Sequence, residues 1–230
     1  SKYEQVNDIN KILHPSAREC IKFIDIDHGL EIHHDGDLPA RSGLGSSSSF
    51  TVGLINALYG LKGTMKSKKD LALDAIHVEQ NLIKENVGSQ DQTAAAFGGF
   101  NKISFGGPHH IQVQPVIMHS NRLNQLQDHM MLFFTGLSRN ASEIAKTQIK
   151  NIKKMGEELR TMTDIANEGF SIIRDNRPLE DFGKLLKTGW EYKRKLSSKI
   201  SNPKIDAVYD TAMQAGAMGG KLLGAGGGGF

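Results

Sequence analysis

The chain has 230 residues, of which 38% are hydrophobic and 23% charged, and its formal net charge is +3. This apolar content is enough for one large globular domain or two small ones, and the sequence shows neither a signal-peptide pattern nor a run approaching the roughly 18 apolar residues of a membrane helix. Cys20 is the only cysteine, which excludes an internal disulfide and favours a reducing, cytoplasmic compartment. Residues 146–204 carry 14 Lys and Arg against 8 Asp and Glu, an excess that we interpret as a solvated helix face and not as a nucleic-acid footprint.

The hydrophobic pattern predicts a mixed order of helices and strands. Alternation of apolar and polar residues predicts two short strands or a hairpin over 19–35. Helical spacing predicts a helix that begins near Ser46 and a second that begins at a capping box at Ser67. The remaining predicted elements are an Ala-rich helix after residue 92, strands at 101–105, 111–117 and 130–135, and helices near 139–158, 160–175, 178–200 and 204–217. The polar stretch 118–129 predicts a boundary between two domains, 1–122 and 123–230.

The segment from Pro39 to Ser49, PARSGLGSSSS, predicts a phosphate-binding loop. The first-turn N–H groups of the helix that follows have no internal acceptor, and its dipole places partial positive charge there. Gly43 and Gly45 allow a ligand to approach the backbone closely, and the serine hydroxyls add donors and a possible oxygen ligand for Mg²⁺. The alternative is a loop that only caps the helix, but a cap needs one serine and this segment has four. The spacing does not fit a Walker loop.

Two carboxylates are candidates for chemistry. Glu79 falls within an apolar stripe between Ile76 and Ile83, where a carboxylate is costly unless it is paired or binds a metal; alternatively, it lies at the edge of the stripe and reaches solvent or a lysine. Asp91 lies between Gly88 and a run of small residues. Asp91 either begins the Ala-rich helix as its N-cap or orients an attacking hydroxyl in phosphoryl transfer.

Three further features have weaker interpretations. Glycine is in excess, and eight of the 25 glycines lie in the last 15 residues, where residues 224–229 match G-x-G-x-x-G without the acidic residue of a dinucleotide site. Arg139 follows a predicted strand and either contacts a ligand or is exposed to solvent. Trp190 and the basic run 193–195 predict a helix with one apolar and one basic face.

Three segments, in order, resemble the motifs of the GHMP kinases, the group named for galactokinase, homoserine kinase, mevalonate kinase and phosphomevalonate kinase. Residues 39–49 resemble the second motif, GSQDQ at 88–92 resembles the segment with the catalytic aspartate, and KLLGAGGGGF at 221–230 resembles the glycine-rich third motif. Within the family, residues 91–101, 134–139 and 190–197 are most similar to heptose phosphate kinases. The resemblance implies an ATP- and Mg²⁺-dependent kinase that phosphorylates the anomeric hydroxyl of D-glycero-D-manno-heptose 7-phosphate. The alternatives are a GHMP kinase acting on fucose, an N-acetylhexosamine or a mevalonate-like alcohol, and an inactive relative that binds nucleotide or sugar.

The resemblance also implies the fold and the roles of residues. The implied fold is α+β, the GHMP kinase fold, with an N-terminal domain like domain 2 of ribosomal protein S5 and a ferredoxin-like C-terminal domain. The resemblance implies that Asp91 is the catalytic base and that Gly136 and Arg139 contact the sugar. The implied Mg²⁺ ligands are Ser46, Ser47 and Glu79. The residues implied to bind ATP are Pro39, Gly43, Leu44, Gly45, Ser46, Ser47, Ser48, Gly224, Gly226 and Gly227. Because the family's first motif is not in the sequence, we expect the N-terminal domain to begin before the given residues. Because the glycine-rich third motif normally leads into a further strand, we expect the C-terminal domain to continue beyond Phe230. ATP and a sugar phosphate are the expected partners, with no nucleic acid and no membrane.

Overall fold

A computed structural model describes residues 3–37, 42–107, 110–137 and 141–230. Its α-helices are α1 Pro15–Ile24, α2 Ser46–Leu61, α3 Lys68–His77, α4 Gln90–Phe97, α5 Ser120–Asp128, α6 Ala141–Asn151, α7 Gly156–Arg174, α8 Leu179–Lys195 and α9 Pro203–Gln214. The strands β1 Asn101–Phe105 and β2 Ile111–Pro115 pair as a two-stranded sheet. A π-helical turn, Val78–Leu82, continues α3, and short 3₁₀ turns lie at Ile9–Lys11 and Ile152–Lys154. Within the described ranges, every helix is too short or too polar to cross a membrane.

The chain divides into two compact units, and each is described on its own. The first unit contains α1–α4 with residues 45–99, and the second contains α5–α9 with residues 42–44 and most of the chain after residue 113. The predicted domain limits of 1–122 and 123–230 stay a prediction.

The core of the first unit is built from helices α1, α2 and α3. Cys20 and Ile24 of α1 are buried together with Ile55 and Leu58 of α2 and Ala75 of α3. Full burial of each large aliphatic side chain contributes about 1.5–3 kcal/mol. This packing fixes α2, the helix whose N-terminus the sequence predicts to bind phosphate.

The predicted hairpin over 19–35 is wrong, because its first part belongs to α1. His14 is the N-cap of this helix and accepts a hydrogen bond from Ala17 N. Pro15 occupies the first helical position, where its fixed φ is favourable and its missing N–H costs nothing. The buried residues of α1 recur at helical spacing, and the helix ends at Ile24, followed by Asp25 as a C-cap in a left-handed conformation. Helical periodicity therefore outweighs the short apolar–polar alternation that suggested strands.

The core of the second unit surrounds Trp190 of α8. Trp190 is 1% exposed and packs in a cluster with Ile144 of α6, Ile200, Ile205 of α9 and Leu222. The four predicted helices of this region are confirmed as α6, α7, α8 and α9; α6, α8 and α9 are shorter than predicted, whereas α7 begins four residues earlier than predicted. The polar stretch 118–129, which contains the predicted domain boundary, forms α5 and buries Leu126.

The strand predictions are confirmed in part. β1 is present over the predicted residues, and β2 ends two residues earlier than predicted. In the described part of the second unit, residues 130–135 form no strand. A strand needs a hydrogen-bonded neighbour along its length, and the backbone pairing recorded for this run is a bond from Thr135 N to Gly229 O. Hydrophobic content alone therefore gave a wrong assignment there.

Candidate active site

The N-terminus of α2 has the features of an anion site. Its N-cap is Gly45, which adopts a left-handed conformation with φ of 73° and provides no side-chain cap. The backbone N–H of Ser49 donates to Gly45 O over 2.9 Å, and the N–H groups before it belong to the first turn, which has no intrahelical acceptors. The dipole of this 16-residue helix adds partial positive charge. This end of α2 therefore suits a phosphate group, as the sequence predicts.

The serines of α2 differ in their surroundings. Ser46 is half-buried, Ser47 is exposed and Ser48 is buried. The hydroxyl of Ser48 donates to Oε2 of Glu79 over 2.9 Å. The amide of Gln92, which is fully buried, donates to the same carboxylate oxygen. The first turn of α2 is thus connected to the turn after α3 and to α4 by buried polar contacts.

Glu79, which accepts the hydrogen bonds from Ser48 and Gln92, is buried. Its exposed fraction is 1%, so the alternative in which it reaches solvent or a lysine is wrong. Glu79 lies in the π-helical turn, where Ile83 N donates to Val78 O and the turn is one residue wider than in an α-helix. Leu82, an apolar residue between Glu79 and Ile83, is 36% exposed, because the extra residue shifts the positions that follow.

The protonation of Glu79 is set by opposing effects. Burial raises the pKa of its carboxyl group, and the side chains of Thr51, Gln92 and Ser48 act against this by favouring the carboxylate. The hydroxyl of Thr51 donates its hydrogen bond to Ser47 O over 3.2 Å. Among the described residues, Oε1 of Glu79 has no hydrogen-bond partner although it is buried. A buried polar atom left in this way costs about 1–3 kcal/mol. A hard cation is the ligand that a free carboxylate oxygen binds most favourably.

Asp91 lies beside the N-cap of α2. A Cβ atom added to Gly45 would lie 3.3 Å from Cβ and from Cγ of Asp91, and 3.5 Å from its Oδ2. Asp91 is not the N-cap of α4, because Ser89 holds that position and Asp91 lies in the first turn. The N-cap interpretation of Asp91 is therefore wrong. The two carboxylates adjoin the same helix end, Asp91 at Gly45 and Glu79 at Ser48.

In the second unit, the glycine-rich segment, residues 224–229, is held by hydrogen bonds to its backbone. Three side chains donate to its carbonyl oxygens: Lys193 to Gly224 (2.6 Å), Gln148 to Ala225 (2.5 Å) and Thr135 to Gly229 (2.8 Å). In addition, Gly227 N donates to Ile200 O over 2.7 Å. The segment is therefore a structured loop, although its composition resembles that of a flexible linker.

Gly226 shows why this loop requires glycine. Its φ is 101°, a conformation that side chains rarely adopt, and an added Cβ would lie 2.9 Å from the Cα of Ile200. The carbonyl of Ile200 also holds Gly227, as described above. A side chain at 226 would therefore separate the loop from its support.

The remaining predicted residues lie near the start of α2, in the turn after Thr135, or outside the described residues. Pro39 and Arg139 lie outside the described residues. Gly43 and Leu44 are half-buried. Gly136 lies in the turn after Thr135 in the second unit, and an added Cβ there would lie 3.6 Å from Nζ of Lys204. The assigned roles of these residues in binding ATP and sugar stay predictions.

Several residues of the site were missed in the sequence. Gln92 follows the candidate base directly, but nothing in its spacing reveals that its amide contacts a carboxylate 13 positions earlier. Lys193 was assigned to an exposed basic face, yet it is 7% exposed. A helical wheel offers a signal for it, since Lys193 follows buried Trp190 by three positions.

The sequence matches the family model of the GHMP kinases N-terminal domain over residues 10–99 and that of the GHMP kinases C-terminal domain over residues 172–230. It is 32% identical over 206 residues to D-glycero-alpha-D-manno-heptose 7-phosphate kinase of Campylobacter jejuni, an alignment that covers 87% of this chain and 60% of the relative. It is 27% identical over 208 residues to the bifunctional fucokinase/GDP-fucose pyrophosphorylase of Arabidopsis thaliana, covering 88% of this chain and 19% of that protein.

A similar fold occurs in the crystal structure of a D-glycero-D-manno-heptose 1-phosphate kinase from Bacteriodes thetaiotaomicron. The TM-score is 0.63 at 27% identity, and the match covers 92% of this chain and 60% of the other. The chain thus spans about 60% of the length of these heptose kinases. The two family models follow each other in the expected order and together match more than half of the chain. The chain therefore belongs to the GHMP kinase family and has the GHMP kinase fold.

Proposed function

We propose that the complete protein transfers the γ-phosphate of ATP to the anomeric hydroxyl of D-glycero-D-manno-heptose 7-phosphate. The observation that carries the proposal is the position of the Asp91 side chain beside Gly45, the N-cap of α2, which places a carboxylate next to the predicted phosphate-binding end of this helix. The relative from Campylobacter jejuni and the fold neighbour both have heptose phosphate kinase names. The buried, single Cys20 is compatible with the reducing cytoplasm that we predict for the protein.

In this proposal, the residues around α2 bind and orient the reactants. The first-turn N–H groups of α2 and the hydroxyl of Ser46 bind phosphate oxygens of ATP. Asp91 accepts the proton of the sugar hydroxyl as its oxygen bonds to the γ-phosphorus, and the bond from that phosphorus to ADP breaks. Because little covalent chemistry is left to the protein, positioning and charge supply most of the rate enhancement.

The site also fits Mg²⁺. Within the described residues, no group of three or more Asp, Glu, His or Cys side chains could hold a metal alone, but Mg²⁺ is commonly held by one or two carboxylates together with nucleotide phosphates. Glu79 has a buried carboxylate oxygen without a hydrogen-bond partner there, and Ser46 and Ser47 are the predicted hydroxyl ligands. When bound, the ion would neutralise phosphate charge. The contribution of the chain is to keep Glu79 oriented through Ser48 and Gln92.

Replacing Asp91 by asparagine tests the role of the carboxylate. Asp91→Asn in the complete protein should lower kcat by about 10²- to 10⁴-fold, the usual contribution of a general base, while ATP binding and the circular dichroism spectrum stay unchanged. Asp27→Asn is the matched control, because Asp27 lies in the same unit with a side chain 93% exposed. Full activity of Asp91→Asn would remove Asp91 from the mechanism.

A fucose kinase is the second candidate, since the relative from Arabidopsis thaliana has a fucokinase name. The phosphate-binding parts of the two candidates are the same, so only the acceptor distinguishes them. ADP release measured with heptose 7-phosphate, fucose, an N-acetylhexosamine and mevalonate should be fastest with heptose 7-phosphate. A higher kcat/KM with fucose would replace the leading proposal by the second.

A further inference from the structure

The hydrogen bonds of Lys193 indicate a role beyond packing. Lys193 lies in the last turn of α8 and is 7% exposed, whereas its neighbours Arg194 and Lys195 are exposed. Its ammonium group donates to Leu222 O over 2.9 Å and to Gly224 O over 2.6 Å. Leu222 lies just before the glycine-rich segment, and Gly224 is its first residue.

The side chain of Lys193 is buried beside the core of the second unit. Trp190, Leu196 and Leu222 form part of the core cluster of the second unit around this helix end. Burial of an ammonium group is unfavourable unless it is well hydrogen-bonded, and an unbranched apolar side chain could occupy a similar volume without that cost. The bonds to the glycine-rich segment therefore explain why a lysine is suited to this position.

These bonds fix the direction of N–H groups in the segment. The described residues contain no cis peptide, and in a trans peptide the C=O of one residue and the N–H of the next point in opposite directions. Because Gly224 O points to Lys193, the N–H of Ala225 points away from Lys193. By the same geometry, the bond from Gln148 to Ala225 O directs the N–H of Gly226 away from Gln148.

We propose that Lys193 is a positioning residue for nucleotide binding, which holds the carbonyl groups of Leu222 and Gly224 so that the N–H of Ala225 is presented to a phosphate group of ATP. The inference rests on the proposed function, since it takes the glycine-rich segment to contact ATP. Gln148 acts in the same way on the N–H of Gly226. The positive charge of Lys193 further favours a phosphate, because the side chain is 7% exposed and water screens a buried charge only weakly.

Lys193→Met in the complete protein tests this role. Methionine keeps the length and packing of the side chain but donates no hydrogen bond. We expect the Kd and KM for ATP to rise by about tenfold or more, the size of a lost charged hydrogen bond, with a smaller change in kcat and an unchanged KM for the sugar. Lys195→Met is the control, because it removes the same charge from an exposed position of the same helix and should change ATP affinity by less than about twofold.

Gln148→Met keeps the proposal testable if Lys193→Met fails to fold. Gln148 is half-buried, so its loss perturbs the core less, and we expect weaker ATP binding of the same sign, with circular dichroism and thermal unfolding reporting on the fold. Wild-type ATP affinity in folded Lys193→Met would overturn the role of Lys193 and leave the proposed function intact. If Lys193→Met does not fold, wild-type ATP affinity in Gln148→Met would have the same consequence. A wild-type protein that binds no ATP would overturn the proposed function and this proposal with it.

Discussion

Replacing Gly45 by alanine would perturb both the cap of α2 and the candidate base. The backbone at this position has φ of 73°, which costs an alanine about 1–2 kcal/mol of folding free energy. The added Cβ would also lie 3.3 Å from Cβ and Cγ of Asp91, tight enough that Asp91 must move by a few tenths of an ångström. A 1 Å misplacement of a reacting group costs up to about 10²-fold in rate, so we expect kcat to fall by about tenfold.

Gly63→Ala separates the two effects. Gly63 lies in the same unit with a nearly equal φ of 67°, and an added Cβ there meets nothing within 4 Å. Urea unfolding should show a similar loss of about 1–2 kcal/mol in both variants, while steady-state assays should show a loss of kcat only in Gly45→Ala. If Gly45→Ala keeps wild-type kcat, or if Gly63→Ala loses as much, the positioning of Asp91 by the cap of α2 is refuted.

Three further predictions concern the first unit. Gln92→Leu removes a donor to buried Glu79 and should lower the free energy of unfolding by about 1–3 kcal/mol. It should also raise the Mg²⁺ concentration needed for half-maximal activity. An unchanged Mg²⁺ dependence in a folded variant would contradict the role of Gln92. Burial and, to a lesser extent, the charge of Glu79 raise the pKa of the Cys20 thiol to about 12. A thiol reagent at pH 8 should therefore label Cys20 about 10³-fold more slowly in native protein than in urea. Equal labelling rates would show that Cys20 is not in the core. Burial and the nearby His34 lower the pKa of His14, so the unfolded chain binds the proton more readily and stability should fall as pH decreases through about 6.5. His14→Asn keeps an N-cap and should show less of this decrease in thermal unfolding scans from pH 8 to 5.5; the same decrease in both proteins would contradict the assignment to His14.

The fold could be predicted wherever the signals that begin and end a helix are local in sequence. α3 begins at Ser67, whose hydroxyl accepts from Asp70 N as a capping residue should. α1 was missed because its cap is His14, an uncommon N-cap that acts through a ring nitrogen. α5 was missed because Leu126 is its only buried residue, which leaves no apolar stripe to recognise.

The candidate site could be predicted in its residue types but not in its contacts. The glycine and serine pattern at the start of α2 indicates an anion site because helix geometry alone creates it. The bond from Ser48 to Glu79 joins residues 31 positions apart, and so does that from Lys193 to Gly224. Such pairs depend on how helices pack, and the π-helical turn that places Glu79 adds a residue that no periodic pattern anticipates.

The most direct test of the account is to identify the phosphorylated product. The complete protein, incubated with MgATP and D-glycero-D-manno-heptose 7-phosphate, should consume ATP and give a second sugar phosphate signal in ³¹P NMR, coupled to the anomeric proton. Asp91→Asn should give no such signal over the same time. A wild-type protein that leaves the anomeric position unphosphorylated, while it phosphorylates another acceptor or none, would contradict the central claim.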